Sequence, residues 1–181
     1  MSWWAWVLVA VVLLVSWYLS STAGRLDRLH RRVDAGHVAL DRALLERASV
    51  AGELAAVRLP DPVAGAVIGD AAHTARRSDP ANQLERCLAE SDLTQVLAAA
   101  FQDTEDVAEC AQMPGGDELM SDLESTTRRV ELSRRFLNDA VRACRDVRYQ
   151  WIVRVFRLAG HPPWPEPFEM DDTPPAGFGI R

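Results

Sequence analysis

The longest uninterrupted apolar stretch of the chain runs from Trp3 to Leu19, and it contains no charged residue, glycine or proline. Because the core of a bilayer offers no water to satisfy polar groups, such a stretch predicts a membrane-spanning helix. At about 1.5 Å per residue it covers roughly 26 Å, slightly less than the ~30 Å hydrocarbon core. Its aromatic anchors lie at both ends, where amphipathic rings prefer the headgroup level: Trp3, Trp4, Trp6, Trp17 and Tyr18.

Two other interpretations of this stretch are a cleaved signal peptide and a buried core helix. The small residues Ser21, Thr22 and Ala23 resemble a signal-peptide cleavage site. A signal peptide also needs basic residues ahead of its apolar part, and Met1 and Ser2 supply none. The uncleaved membrane anchor is therefore the favoured interpretation.

Basic residues flank the span on one side only. No Lys or Arg precedes it, whereas four arginines follow it closely and form a basic collar: Arg25, Arg28, Arg31 and Arg32. Since basic residues near a span stay in the cytoplasm, the N-terminus is predicted to lie outside and the C-terminal domain inside. The expected location is the cell membrane, crossed once.

Beyond the span, apolar residues recur at steps of three and four, which is the period of an amphipathic helix. The first such pattern extends from Leu26 to Leu54 and ends near Pro60. No proline separates it from the span, so the two can also join into one continuous helix.

Two shorter helices are predicted next. Asp61 followed by Pro62 is typical of a helix start, and this helix is expected to end at Arg77. The third helix is predicted to begin with Asp79 as its N-cap and to continue to about Gln112.

The fourth predicted helix is the longest, from Asp117 to Ala159, because no proline or glycine interrupts it. Its apolar residues follow a coiled-coil-like seam with seven-residue spacing: Leu123, Val130, Leu137, Cys144, Trp151 and Leu158, accompanied by Leu119, Val141, Val147 and Val155. A helix of this length needs a partner face, which the first and third helices can supply. The fold class is therefore all-α: an antiparallel helical bundle with long coiled-coil-like helices on one N-terminal transmembrane helix.

The predicted domain organisation has three parts: a transmembrane anchor over 1–22, a cytosolic helical bundle over 23–160 and a tail over 161–181. The tail is acidic and rich in proline, which excludes a helix and predicts extended or largely disordered backbone. Trp164 and Phe168 are the exceptions, since their rings could dock on the end of the bundle.

The chain has 181 residues, of which 20 are basic and 26 acidic, giving a net charge of −6. This net acidity argues against nucleic acid as a partner, because nucleic-acid binding relies on a basic surface. The chain has an odd number of cysteines, and they lie far apart in the sequence: Cys87, Cys110 and Cys144. This pattern suits a reducing compartment better than a disulfide framework.

Only one cluster has the residue types of a metal site. His30, Asp34, His37 and Asp41 share one face of the first helix, at spacings that zinc sites use. The neighbouring arginines would repel a cation and pair with the acids, so a solvated helix face is favoured. No catalytic set, cofactor motif or metal site is predicted elsewhere.

The fourth helix carries the segment Arg134-Arg135-Phe136-Leu137-Asn138-Asp139-Ala140-Val141, which resembles the "RRxYNxAV" segment of the LemA family. The segments Leu40–Arg47, Leu158–His161 and Pro165–Glu169 are also similar to parts of that family. Leu137 replaces the family's tyrosine, and Cys144-Arg145 stands where a second Tyr-Asn pair is usual, so the chain looks like a divergent, actinobacterial-type branch. The resemblance implies a membrane-anchored helical bundle without an established enzymatic activity.

The predicted function is a membrane-anchored helical scaffold or adaptor that binds another protein at the cytoplasmic face and is not itself an enzyme. Its expected partners are the lipid bilayer and an unidentified protein, with a second copy of the chain as a further candidate. Two alternatives stay open. One is a metal-dependent enzyme or enzyme subunit that uses the His30–Asp41 stripe, and the other is an extracytoplasmic coiled-coil protein of cell division.

Overall fold

A computed structural model describes residues 3–57, 61–156, 160 and 163–179. These residues form helices and no β-strand, which confirms the predicted all-α class. The helices are α1 (Trp3–Ala56), α2 (Pro62–Arg77), α3 (Gln83–Ala100), α4 (Thr104–Ala111), α5 (Gly116–Tyr149) and α6 (Trp151–Val155), followed by a 3₁₀ turn, η1 (Ala176–Phe178).

The described residues fall into two compact units. The first unit lies within Met1–Gly36 and Leu137–Pro167, and the second within His37–Phe136 and Phe168–Arg181. Helices α1 and α5 therefore contribute to both units. The predicted boundaries after residues 22 and 160 divide the chain by role rather than by packing, and they stay predictions.

Helix α1 is continuous from Trp3 to Ala56, as expected for a span that leads directly into an amphipathic helix. At the junction, the Thr22 hydroxyl donates a hydrogen bond of 2.9 Å to the carbonyl of Tyr18, one turn earlier. With 54 residues, α1 rather than the fourth predicted helix is the longest described helix.

In the first unit, the buried residues of α1 and α5 keep their predicted periods. They are Leu26, Leu29 and Val33 on α1, and Leu137, Val141, Cys144 and Val147 on α5. The two helices approach closely at Gly36, where an added Cβ would lie 3.2 Å from the Cα of Leu137. A larger residue at position 36 would push these backbones apart.

The core of the second unit draws on five helices and the 3₁₀ turn. Each fully buried Leu or Ile side chain in it contributes about 1.5–3 kcal/mol. Its members are Ala48, Ala51, Leu54, Ile68, Ala71, Ala72, Ala75, Leu93, Leu97, Phe101, Cys110, Met120, Leu123 and Phe178.

Helix α2 begins as predicted, with the Asp61 carboxylate accepting a 2.9 Å hydrogen bond from the Val63 amide and Pro62 in the first turn. The predicted cap of the third helix is wrong. Asn82 caps α3 by accepting from the Glu85 amide at 3.2 Å, while Asp79 accepts from the Ala81 amide in the preceding turn.

The third predicted helix is two helices, because the chain leaves the helical path between Ala100 and Thr104. Phe101 ends α3 with a backbone conformation that is neither helical nor extended, φ −126° and ψ 57°, and its ring is buried. The Asp103 amide then donates to the Asp106 carboxylate at 3.1 Å, which satisfies a free amide at the start of α4.

The fourth predicted helix also ends earlier than expected. Helix α5 stops at Tyr149, and Gln150, with ψ 132°, turns the chain before α6 begins. The predicted seam is buried from Leu123 to Val147. Beyond it, Trp151 and Val155 are 68% and 66% exposed, because the turn brings Val153 inward instead. Leu158 and the predicted helix end at Ala159 lie outside the described residues.

Outside the 3₁₀ turn η1, the described part of the tail, 163–179, forms neither helix nor strand. Phe168 is buried in the second unit, with the guanidinium of Arg86 5.9 Å from its ring centre. Asp172 accepts two hydrogen bonds from Arg134, at 2.7 and 2.8 Å. Charged and aromatic contacts thus replace the core that a proline-rich segment cannot build alone.

The 3₁₀ turn packs against the α3–α4 connection. The Gly177 amide donates to the Phe101 carbonyl at 3.1 Å, and the rings of Phe101 and Phe178 lie 5.8 Å apart. A Cβ on Gly177 would lie 2.4 Å from the carbonyl oxygen of Asp103, so only glycine allows this approach.

Candidate membrane interface

The apolar start of α1 presents its side chains outward. Every side chain from Trp3 to Tyr18 is exposed, and Leu19 is half-buried. Among the described helices, α1 is the one that is long and apolar enough to cross a membrane. The most apolar window of 18 residues in α1 has a mean hydropathy of 1.9, and none of its residues is buried. An outward apolar surface on all sides is what a lipid-facing helix requires.

The five predicted aromatic anchors are all exposed along α1. At one end, the rings of Trp3 and Trp4 lie 4.6 Å apart with an interplanar angle of 41°. At the other end, Trp17 and Tyr18 lie on the turn that precedes the polar part of the helix. Both ends therefore carry rings that favour the headgroup region.

An apolar groove lies in the first unit beside the second aromatic pair. Five of its lining residues come from α1, between Leu14 and Leu19, and the others come from α6 and the residue after it. The groove has a volume of about 490 Å³, and it is lined by Leu14, Val15, Trp17, Tyr18, Leu19, Trp151, Ile152 and Phe156.

Residues 163–165 pack against the end of α5. The Trp164 ring meets the Tyr149 ring edge-on at 5.2 Å, and the Arg148 guanidinium lies 4.7 Å from the centre of Trp164. Arg148 also donates to the Pro163 carbonyl at 2.9 Å, and Arg145 donates to the Pro165 carbonyl at 2.7 Å. This end of the first unit combines aromatic rings with basic side chains.

All four arginines of the basic collar are exposed. Arg31 forms an ion pair with Asp27, one turn earlier on α1. Such exposed pairs within a helix contribute only a few tenths of a kcal/mol, so this contact leaves the positive charge of the collar available to other anions.

The residues of the LemA-like motif lie on different sides of α5. Leu137 and Val141 are fully buried, and Asn138 is half-buried. Arg134 binds Asp172 of the tail, whereas Arg135 pairs with Glu131 on its own helix. The motif is thus divided between core packing and two ion pairs.

The His–Asp stripe does not assemble into a metal centre among the described residues, which contain no group of three or more His, Cys, Asp or Glu arranged to hold an ion. Asp41 accepts a 2.7 Å hydrogen bond from Arg86. Asp34 is exposed, and His30 and His37 are half-buried.

A buried polar cluster in the second unit was missed by the sequence interpretation. Arg47 on α1 donates to the Glu90 carboxylate at 2.8 Å and to the Thr94 hydroxyl at 2.9 Å, both on α3. All three residues are at most 2% exposed. Burial raises the pKa of the Glu90 carboxyl, and the adjacent Arg47 charge opposes this rise. The available signal was the position of Arg47 on the buried stripe between Leu44 and Ala51.

The three cysteines are buried and unpaired with one another. Burial raises the pKa of the thiols of Cys87, Cys110 and Cys144 above the ordinary value. A raised pKa lowers the thiolate fraction at neutral pH, so these side chains have the properties of inert core residues rather than nucleophiles.

Comparison of the chain with protein-family models, curated proteins and solved structures found no match.

Proposed function

We propose that this chain is a single-pass membrane protein whose C-terminal part is a cytoplasmic helical adaptor without catalysis of its own. Its N-terminus lies outside, and its helices form an antiparallel bundle that binds another protein. The observation that carries the proposal is the outward apolar surface of α1 from Trp3 to Tyr18. Apolar surface left in water costs about 25 cal/mol per Å², and a bilayer removes this cost.

The LemA resemblance belongs to the same proposal. The motif from Arg134 to Val141 lies on α5, with Leu137 and Val141 in the core of the first unit. This burial supports a role for the motif in packing, because its apolar positions face inward. Membership of a divergent LemA branch would then describe the architecture of the chain rather than an active site.

The second unit offers surfaces for a protein partner. Three of its helices expose pairs of large apolar side chains one turn apart, an arrangement that suits contact with another helix. The pairs are Val63 and Val67 on α2, Leu84 and Leu88 on α3, and Leu132 and Phe136 on α5.

The anchor and its orientation can be tested together with one thiol. Ala176 is exposed in η1, so Ala176→Cys provides a reactive site, while the native thiols are buried and have raised pKa values. In intact cells, an impermeant maleimide should label this variant only after the membrane is permeabilised, and the protein should stay in the pellet after alkaline carbonate extraction. The unmodified chain is the matched control, since it should give little labelling in both conditions.

Labelling of Ala176→Cys in intact cells would reverse the orientation and favour the extracytoplasmic coiled-coil alternative. Release of the chain by carbonate would contradict the anchor itself.

The adaptor role needs a separate test. A photo-crosslinking amino acid at Leu88 should give a discrete, saturable product with another protein in native membranes. The same amino acid at Glu105, which is exposed on α4, is the control and should give none. Equal products from both positions, or no product from any of the three apolar pairs, would contradict the proposed binding surfaces.

A further inference from the structure

We propose that α6 is a second membrane contact, and that the apolar groove between α6 and the end of the span holds a lipid acyl chain. This inference rests on the proposed anchor, because the same span residues line the groove. It adds a lipid-binding surface contributed by a segment more than 130 residues later in the sequence, which the anchor alone does not require.

The depth of the groove follows from its lining. Leu14 lies five residues before Leu19 on α1, which is about 7.5 Å along the helix axis. When Trp17 and Tyr18 occupy the headgroup level, Leu14 and Val15 lie in the acyl-chain region below it. Because Trp151 and Ile152 line the same groove, α6 reaches this boundary as well.

The chemistry of α6 also fits the boundary between headgroups and acyl chains. Three large apolar side chains face outward on or directly after this short helix: Trp151, Val155 and Phe156. Arg154 is exposed between them, where its long apolar stem can follow the lipid while its charge reaches a phosphate. This alternation of aromatic, aliphatic and basic groups is characteristic of segments that lie in the interface plane.

The groove is continuous with the surface of the span, and this favours a lipid over a protein as its occupant. The span side of the groove is part of the surface that the bilayer must already cover, so lipid is present at the groove without any further binding partner. The nearby aromatic contact between Tyr149 and Trp164, with Arg148 against the Trp164 ring, extends the same interfacial character along the first unit.

The test uses the unmodified full chain in vesicles of phosphatidylcholine and phosphatidylglycerol that contain a phosphatidylcholine with a diazirine on its acyl chain. After irradiation, trypsin gives three informative peptides: 1–25 from the span, 149–154 from α6, and 136–142 from α5 as the internal control. We expect lipid adducts on 1–25 and on 149–154, with several-fold lower labelling of 136–142.

A Trp151→Asp variant sharpens the result. Trp151 is exposed, so the substitution should leave the helical circular dichroism spectrum unchanged while it removes most of the labelling of 149–154. Labelling of 1–25 should persist, because the span is intact.

Each contrary outcome is informative. Adducts on 1–25 without adducts on 149–154 would overturn the groove proposal and leave the anchor intact, and this is also the result if a second copy of the chain covers α6. Equal labelling of 149–154 and 136–142 would show that α6 is not a specific contact. If 1–25 is itself unlabelled, the anchor fails and the groove proposal fails with it.

Discussion

The two halves of α1 are made of the same regular backbone but present different surfaces. From Trp3 to Tyr18, every side chain is outward and apolar or small. From Leu26 to Leu54, the buried side chains recur every three or four residues, and charged residues occupy the other faces. The helix itself is therefore common to both halves, and the distribution of polarity around it distinguishes the half with an apolar outer surface from the half that packs against other helices.

The difference also defines what each half tolerates. In the proposed membrane span, a polar group in the first half would have no water and no partner. The second half accepts charges on its outer faces and even a buried arginine that has its own partners. Substitutions that place a polar group at an apolar position, or remove a charge, should therefore affect the two halves differently. Four are described in order of decreasing expected effect.

The largest effect is expected from Leu44→Asp in the second half. Leu44 is 1% exposed, so the variant loses apolar burial and places a carboxylate in the core. We expect a loss of at least about 4 kcal/mol in the free energy of unfolding, a large share of the roughly 5–15 kcal/mol of a typical domain. Chemical denaturation in detergent measures it. Leu45→Asp is the neighbouring control, because Leu45 is half-exposed and should change stability by less than about 1 kcal/mol. Equal losses would show that the two faces of α1 are not distinguished by burial.

The second effect concerns the buried charge pair. Arg47→Met leaves the Glu90 carboxyl without its cation, and breaking such a pair costs about 3–5 kcal/mol. Replacing both Arg47 and Glu90 with Met should recover much of that loss, since no charge is then left buried. Denaturation of the single and double variants decides this, and an unchanged single variant would show that the pair is not buried in solution.

The same variant has a pH dependence with a definite sign. Burial raises the pKa of Glu90, and removing Arg47 takes away the charge that opposes this rise. The folded state then binds the proton more tightly than the unfolded state. The stability of Arg47→Met should therefore increase as the pH falls from neutral towards the ordinary Glu value of 4.5. A stability that falls over this range would contradict the raised pKa.

The third effect is in the first half. Leu13→Arg places a charge near the middle of the span, which costs about 2.5–3.5 kcal/mol on insertion scales. We expect a smaller carbonate-resistant fraction with an unchanged denaturation midpoint of the second unit. Val38→Arg is the control on the outer face of the second half, since Val38 is exposed, and it should alter neither measurement. Retention of Leu13→Arg at the level of the original chain would contradict a lipid-facing span.

The smallest effect per residue lies at the junction of the two halves. Anionic lipids attract each collar arginine by about 1 kcal/mol, so replacing Arg25, Arg28, Arg31 and Arg32 with Gln should give a mixed orientation. Labelling of Ala176→Cys in this background measures the inverted fraction. Gln at the exposed Arg76 and Arg77 of α2 is the control for loss of charge alone. A uniform orientation after the collar is removed would assign topology to the aromatic anchors instead.

Features that depend on local pattern were predictable. The period of apolar residues identified α1 and the buried seam from Leu123 to Cys144. The pair Asp61–Pro62 identified the start of α2. Each of these follows from residues within one or two turns of one another, so the sequence carries the whole signal.

Features that depend on distant residues were not predictable. No proline or glycine marks the break at Gln150. The break depends on which apolar residue is buried next, and that residue is Val153. Arg47 pairs with Glu90, which lies 43 positions later in the sequence. The period of apolar residues cannot indicate that a buried charge has such a distant partner. Likewise, the packing of Gly177 against Asp103 could not be predicted, because this close approach has no local signature in the sequence.

The docking of Phe178 has a consequence for how the chain is made. Its ring completes a core whose first member, Ala48, is synthesised about 130 residues earlier. At roughly 5–20 residues per second, that interval is about 6–26 s, during which the apolar core of the second unit is incomplete. Synthesis order therefore places completion of the core last, and we expect factors that shield nascent apolar surface to have their greatest effect in this interval.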